Sequence, residues 1–176
     1  MFATDLPKEF SIDWSTAKGT DNLQAVWAQF SRAIETYQSF WDVMDDLDTH
    51  TWVLEPVNPS RAATSRRVAL GRNTSLQIDI DCLRPRQICE VRFMGPDSVV
   101  LPLRTLFVQN IGLWSMEKSP RENLERLLET QLPSPATTKK EEFKVECGIC
   151  YAYLLENSVP DRMCDNPKCA RPFHRD

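Results

Sequence analysis

The sequence predicts an α+β domain in which helices pack on one face of a four-stranded antiparallel sheet. Three observations lead to this prediction: a long amphipathic segment around position 35, a series of short strand-like segments between positions 65 and 113, and a capped leucine-rich segment after position 119. The order helix, strands, helix is typical of α+β folds, in which helices pack together on one side of an antiparallel sheet.

The first helix is predicted over about residues 22 to 47. Apolar residues recur there at steps of three and four, which is the pattern of an amphipathic helix with one buried face. Asp21 precedes this pattern and is suited to cap the helix N-terminus. At 1.5 Å per residue the helix would be roughly 40 Å long, more than the usual span of a small domain, so a break near Gln38 is an alternative.

Four strands are predicted, at about residues 65 to 70, 75 to 81, 88 to 94 and 104 to 113. The second is the clearest, because its apolar and polar residues alternate as in a half-buried strand. Gly71 and Gly95 begin turn-like segments that favour an antiparallel meander. Ser119 and Glu122 then form a capping box around Pro120, which predicts the start of a second helix.

Composition limits the kind of protein further. With 176 residues, of which 41% are hydrophobic, the chain has room for one well-packed domain and a small appendage. The net charge is −4 and the basic residues are scattered, so we expect no direct binding to nucleic acid. No apolar stretch approaches the length of a membrane span, so we expect a soluble intracellular protein without membrane contact.

A cluster of metal-ligand residues lies near the C-terminus. Four cysteines, Cys147, Cys150, Cys164 and Cys169, stand close to His174. Two cysteine pairs separated by a loop are what a tetrahedral zinc ion requires. In a reducing compartment such a cluster is more typical of metal ligands than of disulfides. We therefore predict zinc binding; the alternative is a set of buried free thiols.

The same residues resemble a known family. The segments 147–153 (Cys-Gly-Ile-Cys-Tyr-Ala-Tyr), 159–161 and 172–174 are similar to the atypical RING finger of the Fanconi anaemia group L family of ubiquitin ligases. Segments further upstream resemble the central substrate-binding region of that family, which has an RWD-like (ubiquitin-conjugating-enzyme-like) architecture: 40–56, 69–71 and 110–114. The resemblance extends over about residues 20 to 174.

This resemblance implies a domain organisation. Residues 1–19 would be the remnant of a preceding lobe or a lead-in, residues 20–132 an RWD-like substrate-binding domain, and residues 144–176 a truncated RING-type zinc finger. Residues 133–143 combine proline with charge and contain little that could pack in a core. This composition predicts a flexible linker between the two units.

The resemblance also implies how zinc would be held. A complete finger of this family uses eight ligands to hold two zinc ions; Cys147, Cys150 and His174 would belong to the first site, and Cys164 and Cys169 to the second. The sequence ends before the remaining ligands, so we expect none or one zinc ion in this chain. In an alternative arrangement the four cysteines surround one zinc ion and leave His174 free.

The function implied by the resemblance is that of a ubiquitin ligase that acts by proximity and needs no nucleophile of its own. The finger would hold a ubiquitin-conjugating enzyme, with Ile149 and Tyr151 at the contact positions, unless both simply pack on the zinc knuckle. The expected substrates are the paired D-group and I-group Fanconi proteins, which are monoubiquitinated in DNA interstrand crosslink repair. We expect other Fanconi core complex subunits as partners, and a location in the nucleus and also in the cytoplasm.

Four apolar residues are candidates for substrate contact because exposed apolar groups often mark interfaces: Trp52, Leu54, Ile88 and Met94. The alternative for each is ordinary core packing. At the level of the whole chain, the alternative function is a non-catalytic protein-interaction module with an inactive finger. A small zinc-dependent nucleic-acid binder is disfavoured by the acidic charge balance.

Overall fold

The structure is a computed structural model that describes residues 5–15, 22–71, 73–139, 146–156, 158–164, 166, 169 and 171–174. Its helices are α1 (Asn22–His50), α2 (Asp97–Asn110) and α3 (Pro120–Leu127). Its strands are β1 (Val53–Glu55), β2 (Ser65–Gly71), β3 (Thr74–Asp79), β4 (Glu90–Met94), β5 (Arg162–Met163) and β6 (Pro172–Phe173). Strands β1 to β4 form an antiparallel sheet in sequential order, which confirms the predicted α+β class.

Alternation along the strands gives this sheet two distinct faces. The inner face carries Val68, Leu76, Ile78 and Phe93, which pack with the helices into the main hydrophobic core. The register places Val68 opposite Leu76, and Leu76 opposite Phe93, so these side chains form a continuous row across three strands. The outer face carries the residues between them. A different part of the chain covers this face in part, and Glu90 and Arg92 of β4 stay exposed.

Helix α1 lies on the inner face through its C-terminal half. Its buried residues are spaced at three and four positions: Tyr37, Phe40, Val43, Met44 and Leu47. The predicted helix is confirmed and extends to His50 without a break at Gln38, since the helix from Asn22 to His50 is continuous over 29 residues. The proposed cap, Asp21, lies outside the described residues.

The strand predicted at residues 104 to 113 is wrong, because helix α2 and a short 3₁₀ turn (Ile111–Leu113) occupy this stretch. Val100, Leu103 and Phe107 recur at helical spacing and pack on the core, with the Phe107 ring 6.2 Å from that of Phe93. The segment is rich in strand-favouring residues, but several of them, such as Val108, are exposed. Core packing of one helical face outweighs local strand propensity here.

The fourth strand is instead β1, which directly follows α1. It has only three residues, too few for alternation to be visible in the sequence. The strands predicted at 65 to 70, 75 to 81 and 88 to 94 correspond to β2, β3 and β4. Gly71 turns the chain between β2 and β3 with a φ of 85°, whereas the segment after Gly95 starts α2 and not a hairpin.

Helix α3 begins with the predicted capping box. The Ser119 side chain accepts the Glu122 backbone N–H at 3.2 Å, and the Glu122 carboxylate accepts the Ser119 N–H at 2.8 Å. Leu124 and Leu127 are then fully buried in the main core, so the cap fixes where this apolar face begins. Among the described residues, no helix combines the length and apolar character needed to cross a membrane.

Candidate metal site and finger interface

The first cysteine pair forms a tight knuckle. The backbone N–H groups of Ile149 and Cys150 donate to the Cys147 sulfur at 3.3 and 3.4 Å. Burial opposes ionisation of this thiol, but the backbone N–H groups of Cys150, His174 and Ile149 lower the pKa of Cys147 to about 6. Hydrogen bonds to sulfur favour the thiolate, which is the form that binds metals.

Gly148 lies inside this knuckle, where the chain passes close to β6. A Cβ atom at this position would lie 3.0 Å from the Arg171 Cβ, so a larger residue would push the two segments apart. The Gly148 N–H donates to the Pro172 carbonyl at 2.7 Å. This close approach brings the knuckle next to the strand that leads to His174.

His174 completes a group of three potential metal ligands with Cys147 and Cys150, whose ligand atoms all lie within 4.8 Å of one another. The His174 Nδ1 atom lies 3.5 Å from the Cys150 sulfur. A sulfur and a nitrogen bound to one tetrahedral zinc ion are also about 3.5 Å apart, given bond lengths near 2.3 and 2.0 Å. The residues present therefore fit zinc, which would be held by two thiolates and one imidazole.

The second ring nitrogen of His174, Nε2, is buried and has no hydrogen-bond partner within the described part of the chain. Nδ1 is therefore the ring nitrogen placed to bind a metal, because it is the one that faces the Cys150 sulfur.

Cys164 and Cys169 are not members of this three-residue group. Cys164 donates its backbone N–H to the Arg171 carbonyl at 3.0 Å, beside the short β5–β6 pair, and Cys169 is exposed. The observed group matches the first zinc site implied by the family resemblance. In the alternative with four cysteines around one ion His174 would be free, whereas here it lies within reach of both knuckle cysteines.

Ile149 and Tyr151 project from the knuckle into solvent, with 72% and 68% of their surface exposed. Tyr151 adopts a left-handed backbone conformation, with a φ of 58°. Neither side chain is buried against the knuckle, which was the alternative considered from the sequence. Two large, exposed apolar side chains that flank Cys150 are suited to contact another protein.

Trp52 and Leu54 lie at the interface between the sheet and the finger. Leu54 is 9% exposed and forms a second hydrophobic cluster with Ala69 of β2 and Val159 of the finger. Leu54 therefore lacks the exposure that the predicted substrate contact needs, because it lies in β1 and the finger covers it. Substrate contact through Leu54 would require the finger to move away.

Trp52 is half-buried beside this cluster and holds the segment that leads to the finger. Its backbone N–H donates to the Pro133 carbonyl at 2.9 Å, and its indole Nε1 donates to the Thr138 hydroxyl at 2.8 Å. The part of the predicted linker that the structure describes, up to residue 139, is therefore attached to the domain at two points.

The other two substrate candidates lie elsewhere. Ile88 is exposed in the connection between β3 and β4. Met94 is half-buried at the end of β4, where it lines an open groove with Arg92 and with Met163 of the finger. The structure thus does not bring the four candidates into one surface.

The residues that attach the finger to the sheet could not be predicted from the sequence. Arg67 lies on the outer face and is only 7% exposed. Its guanidinium donates to the Glu55 carboxylate at 3.3 Å and to the Pro160 carbonyl of the finger at 3.1 Å, while Glu55 accepts the Val159 N–H at 2.6 Å. Arginine is usually solvent-exposed in folded proteins, so only a three-dimensional structure reveals such a role.

Tyr153 closes the edge of this contact. Burial raises the pKa of its phenol, and the nearby Glu55 carboxylate raises it further, whereas Arg67 lowers it. The cavity beside Tyr153, Leu54 and Val159 is ≈ 50 Å³. The finger therefore fits closely on β1 and β2, whereas the groove beside Met94 at β4 stays open.

These features define a class of protein: an α+β domain whose outer sheet face carries a Cys/His finger with three side chains placed to hold a metal ion. A family model described as FANCL UBC-like domain 3 matches residues 39–135, more than half of the chain. A second, described as FANCL C-terminal domain, matches residues 143–176. The chain belongs to the FANCL family of E3 ubiquitin-protein ligases.

Two known proteins illustrate this membership. The chain is 43% identical over 170 residues to the E3 ubiquitin-protein ligase FANCL of Mus musculus, covering 97% of this chain and 44% of that protein. A crystal structure of FANCL matches with a TM-score of 0.74 and 26% identity, over 92% of this chain and 46% of the crystallised one. The chain thus spans less than half the length of these relatives.

Proposed function

We propose that the chain acts as a ubiquitin ligase component that brings a ubiquitin-conjugating enzyme to a substrate for monoubiquitination. The observation that carries this proposal is the exposed pair Ile149 and Tyr151, which projects from a knuckle built around a three-ligand metal group. A docking site for a partner enzyme needs apolar side chains in a fixed geometry, and the knuckle provides one.

Zinc is the proposed metal, bound by Cys147, Cys150 and His174. Its role is structural, since a zinc ion bound by thiolates and imidazole in a small unit stabilises the fold of that unit. The ion would fix the positions of the two knuckle cysteines relative to His174. This in turn would fix the direction in which Ile149 and Tyr151 project.

The chemistry would take place on the partner enzyme. Its active-site cysteine carries ubiquitin as a thioester; the amine of a substrate lysine attacks the carbonyl carbon, a C–N bond forms, the C–S bond breaks, and the lysine proton leaves to solvent or to a base. The chain would accelerate this transfer by holding both reactants, which raises their effective concentration. No nucleophile of its own is required.

The proposed substrates are the paired D-group and I-group Fanconi proteins, modified in DNA interstrand crosslink repair. Other Fanconi core complex subunits are proposed partners, with action in the nucleus and also in the cytoplasm. Membership of the FANCL family and the name of the mouse relative, an E3 ubiquitin-protein ligase, support the ligase part of this proposal. Of the substrate-contact candidates, Ile88 is the one that the structure leaves openly exposed.

A binding experiment tests the proposal. The zinc-loaded full chain is titrated with a ubiquitin-conjugating enzyme by isothermal calorimetry, and the Ile149→Ala variant is compared with it. Truncating a central apolar contact commonly weakens binding by about 2 kcal/mol, which is roughly 30-fold in the dissociation constant. Leu101→Ala, which changes an exposed apolar residue on α2, is the matched control and should bind as the unmodified chain does.

Binding that is unaffected by Ile149→Ala would refute the assigned contact. Binding that depends on Ile149 but does not accelerate discharge of the ubiquitin thioester would support the alternative function, a non-catalytic protein-interaction module.

A further inference from the structure

Arg67 is a charged residue placed at the centre of a buried interface, where an apolar residue would be expected. All three guanidinium nitrogens are used: Nε donates to the Ser75 hydroxyl at 2.8 Å, Nη1 to the Glu55 carboxylate and Nη2 to the Pro160 carbonyl. Ser75 and Glu55 belong to the sheet, whereas Pro160 belongs to the finger. The guanidinium therefore connects the two units directly.

Glu55 makes the complementary connection. One carboxylate oxygen pairs with Arg67, and the other accepts the backbone N–H of Val159 at 2.6 Å. The two partners of one ion pair thus hold two adjacent finger residues, one through its carbonyl and one through its N–H. Because both contacts are to the backbone, they define the direction of the finger chain and do not depend on finger side chains.

This arrangement differs in kind from the apolar contact beside it. Leu54, Ala69 and Val159 bury apolar surface, which gives attraction without directional preference. Hydrogen bonds from charged groups are directional, and the planar guanidinium has a fixed geometry. A buried ion pair often adds little to net stability, because desolvation offsets the attraction. Its physical contribution here is to select one orientation of the finger.

We propose that Arg67 and Glu55 are positioning residues, which hold the finger, and any conjugating enzyme bound to Ile149 and Tyr151, in one orientation relative to the UBC-like domain. This inference rests on the proposed function. Transfer of ubiquitin to the substrate would then depend on the fixed angle between the finger and the UBC-like domain. The finger's own action on the conjugating enzyme would not depend on Arg67.

The test compares two reactions of the zinc-loaded full chain. In the first, ubiquitin is transferred from the conjugating enzyme's thioester to free lysine, which needs the finger but no fixed orientation. In the second, it is transferred to the paired D-group and I-group proteins, which needs both. Arg67→Met removes the charge and retains most of the aliphatic length. Arg66→Met is the matched control, because Arg66 is the adjacent residue, is 3% exposed, and pairs with Asp48 of α1, away from the finger.

For Arg67→Met we expect unchanged transfer to free lysine and transfer to the substrate pair that is slower by about tenfold or more, since small misplacement of reactants has large effects on rate. Hydrogen exchange of the amide at position 159 should become faster, because its acceptor Glu55 is no longer held. For Arg66→Met we expect neither change. Arg67→Lys should fail to restore substrate transfer, since an ammonium group cannot reproduce the fork geometry.

Val159→Asp is a second variant that should loosen the orientation of the finger relative to the UBC-like domain. It acts from the finger side, outside the main core, and buries an unpaired carboxylate in the apolar cluster with Leu54 and Ala69, which should weaken the contact between finger and sheet. If Arg67→Met fails to fold, the same split between the two reactions is expected in Val159→Asp.

Two results would overturn the inference: substrate transfer and exchange at position 159 that are unaffected in both variants, or losses of equal size in the two reactions. A different result, in which the unmodified chain fails to stimulate transfer to free lysine, would refute the proposed function itself.

Discussion

The two faces of the sheet are covered by different parts of the chain and by different chemistry. The inner face meets helices through large apolar side chains, among them Phe40, Leu47 and Leu76, none of which is exposed. The outer face meets the finger through a small apolar cluster and a buried ion pair. We therefore expect the inner face to supply most of the stability of the fold and the outer face to set the orientation of the finger.

Arg66 and Arg67 show this division at neighbouring positions. Successive side chains of a strand point to opposite faces, so Arg66 reaches α1 and Arg67 reaches the finger. Arg66 forms a two-pronged ion pair with Asp48, with distances of 2.6 and 2.9 Å, and thereby fastens α1 to the sheet within one unit. Arg67 fastens one unit to the other. Two neighbouring arginines with similar burial therefore hold different parts of the chain.

Removal of the metal should produce the largest difference between the two faces, because it should unfold the finger on the outer face and leave the helices on the inner face folded. Structural zinc contributes on the order of 10 kcal/mol to the folding of small zinc units. With a chelator we expect fast hydrogen exchange at the knuckle amides of Ile149 and Cys150, while the helical circular dichroism signal from α1 and α3 persists. Added zinc should restore protection, and magnesium, which prefers oxygen ligands, should not. Loss of the helical signal together with the finger would show that the two faces do not fold independently.

The next largest effect is expected from truncations on opposite faces. Phe40→Ala leaves a cavity in the main core and should lower the free energy of unfolding by about 4 kcal/mol. Val159→Ala removes less apolar volume from the small outer cluster and should lower it by about 1 kcal/mol. Urea unfolding followed by circular dichroism measures both. Equal losses would mean that the outer contact contributes to stability as much as the core does.

The sequence predicted the inner face better than the outer one, for a physical reason. The spacing of the buried residues of α1, the alternation along β3 and the capping box at Ser119 are local patterns, and each is confirmed. Contacts such as Glu55 with Val159 join residues that are far apart in the chain, and no local pattern marks them. The same limit explains the error at α2, where contact with the core overrides local strand propensity.

The candidate metal site was predictable because its ligands are chemically distinctive. Cysteine and histidine at close spacing indicate zinc without knowledge of the fold. The grouping of Cys147 and Cys150 with His174 came from the family resemblance, and the structure shows those three ligand atoms together. The substrate candidates are large apolar residues in or beside predicted loops. Neither property distinguishes a free surface from one that another part of the same chain covers.

A smaller effect is expected at Arg66. Removing one partner of a fully buried ion pair lowers stability by about 3–5 kcal/mol, but Asp48 is 29% exposed, so about 2 kcal/mol is expected for Arg66→Met. The double variant Arg66→Met with Asp48→Leu should recover most of this loss, because no unpaired charge remains. Urea unfolding of the two single variants and the double variant gives the coupling energy. A double variant no more stable than Arg66→Met would contradict the assignment.

The smallest predicted effect concerns a cysteine that lies on the helical side of the sheet. Burial raises the pKa of the Cys89 thiol to about 12, whereas the knuckle lowers that of Cys147 to about 6. A group with a raised pKa in the folded state holds its proton longer than in the unfolded state, so its contribution to stability is complete below about pH 9 and is lost between pH 9 and 12. At pH 10 the loss should be about 1 kcal/mol.

Urea unfolding at pH 8 and pH 10 tests this prediction in the full chain and in Cys89→Ala. The variant loses packing at both pH values but cannot titrate at this position, so the difference between the two proteins should shrink as the pH rises. Tyr37, whose pKa is also raised by burial, titrates in both proteins and cancels in the comparison. A difference that stays constant would mean that water reaches Cys89 and that the inner face is not fully closed, which would contradict the role in stability assigned to that face.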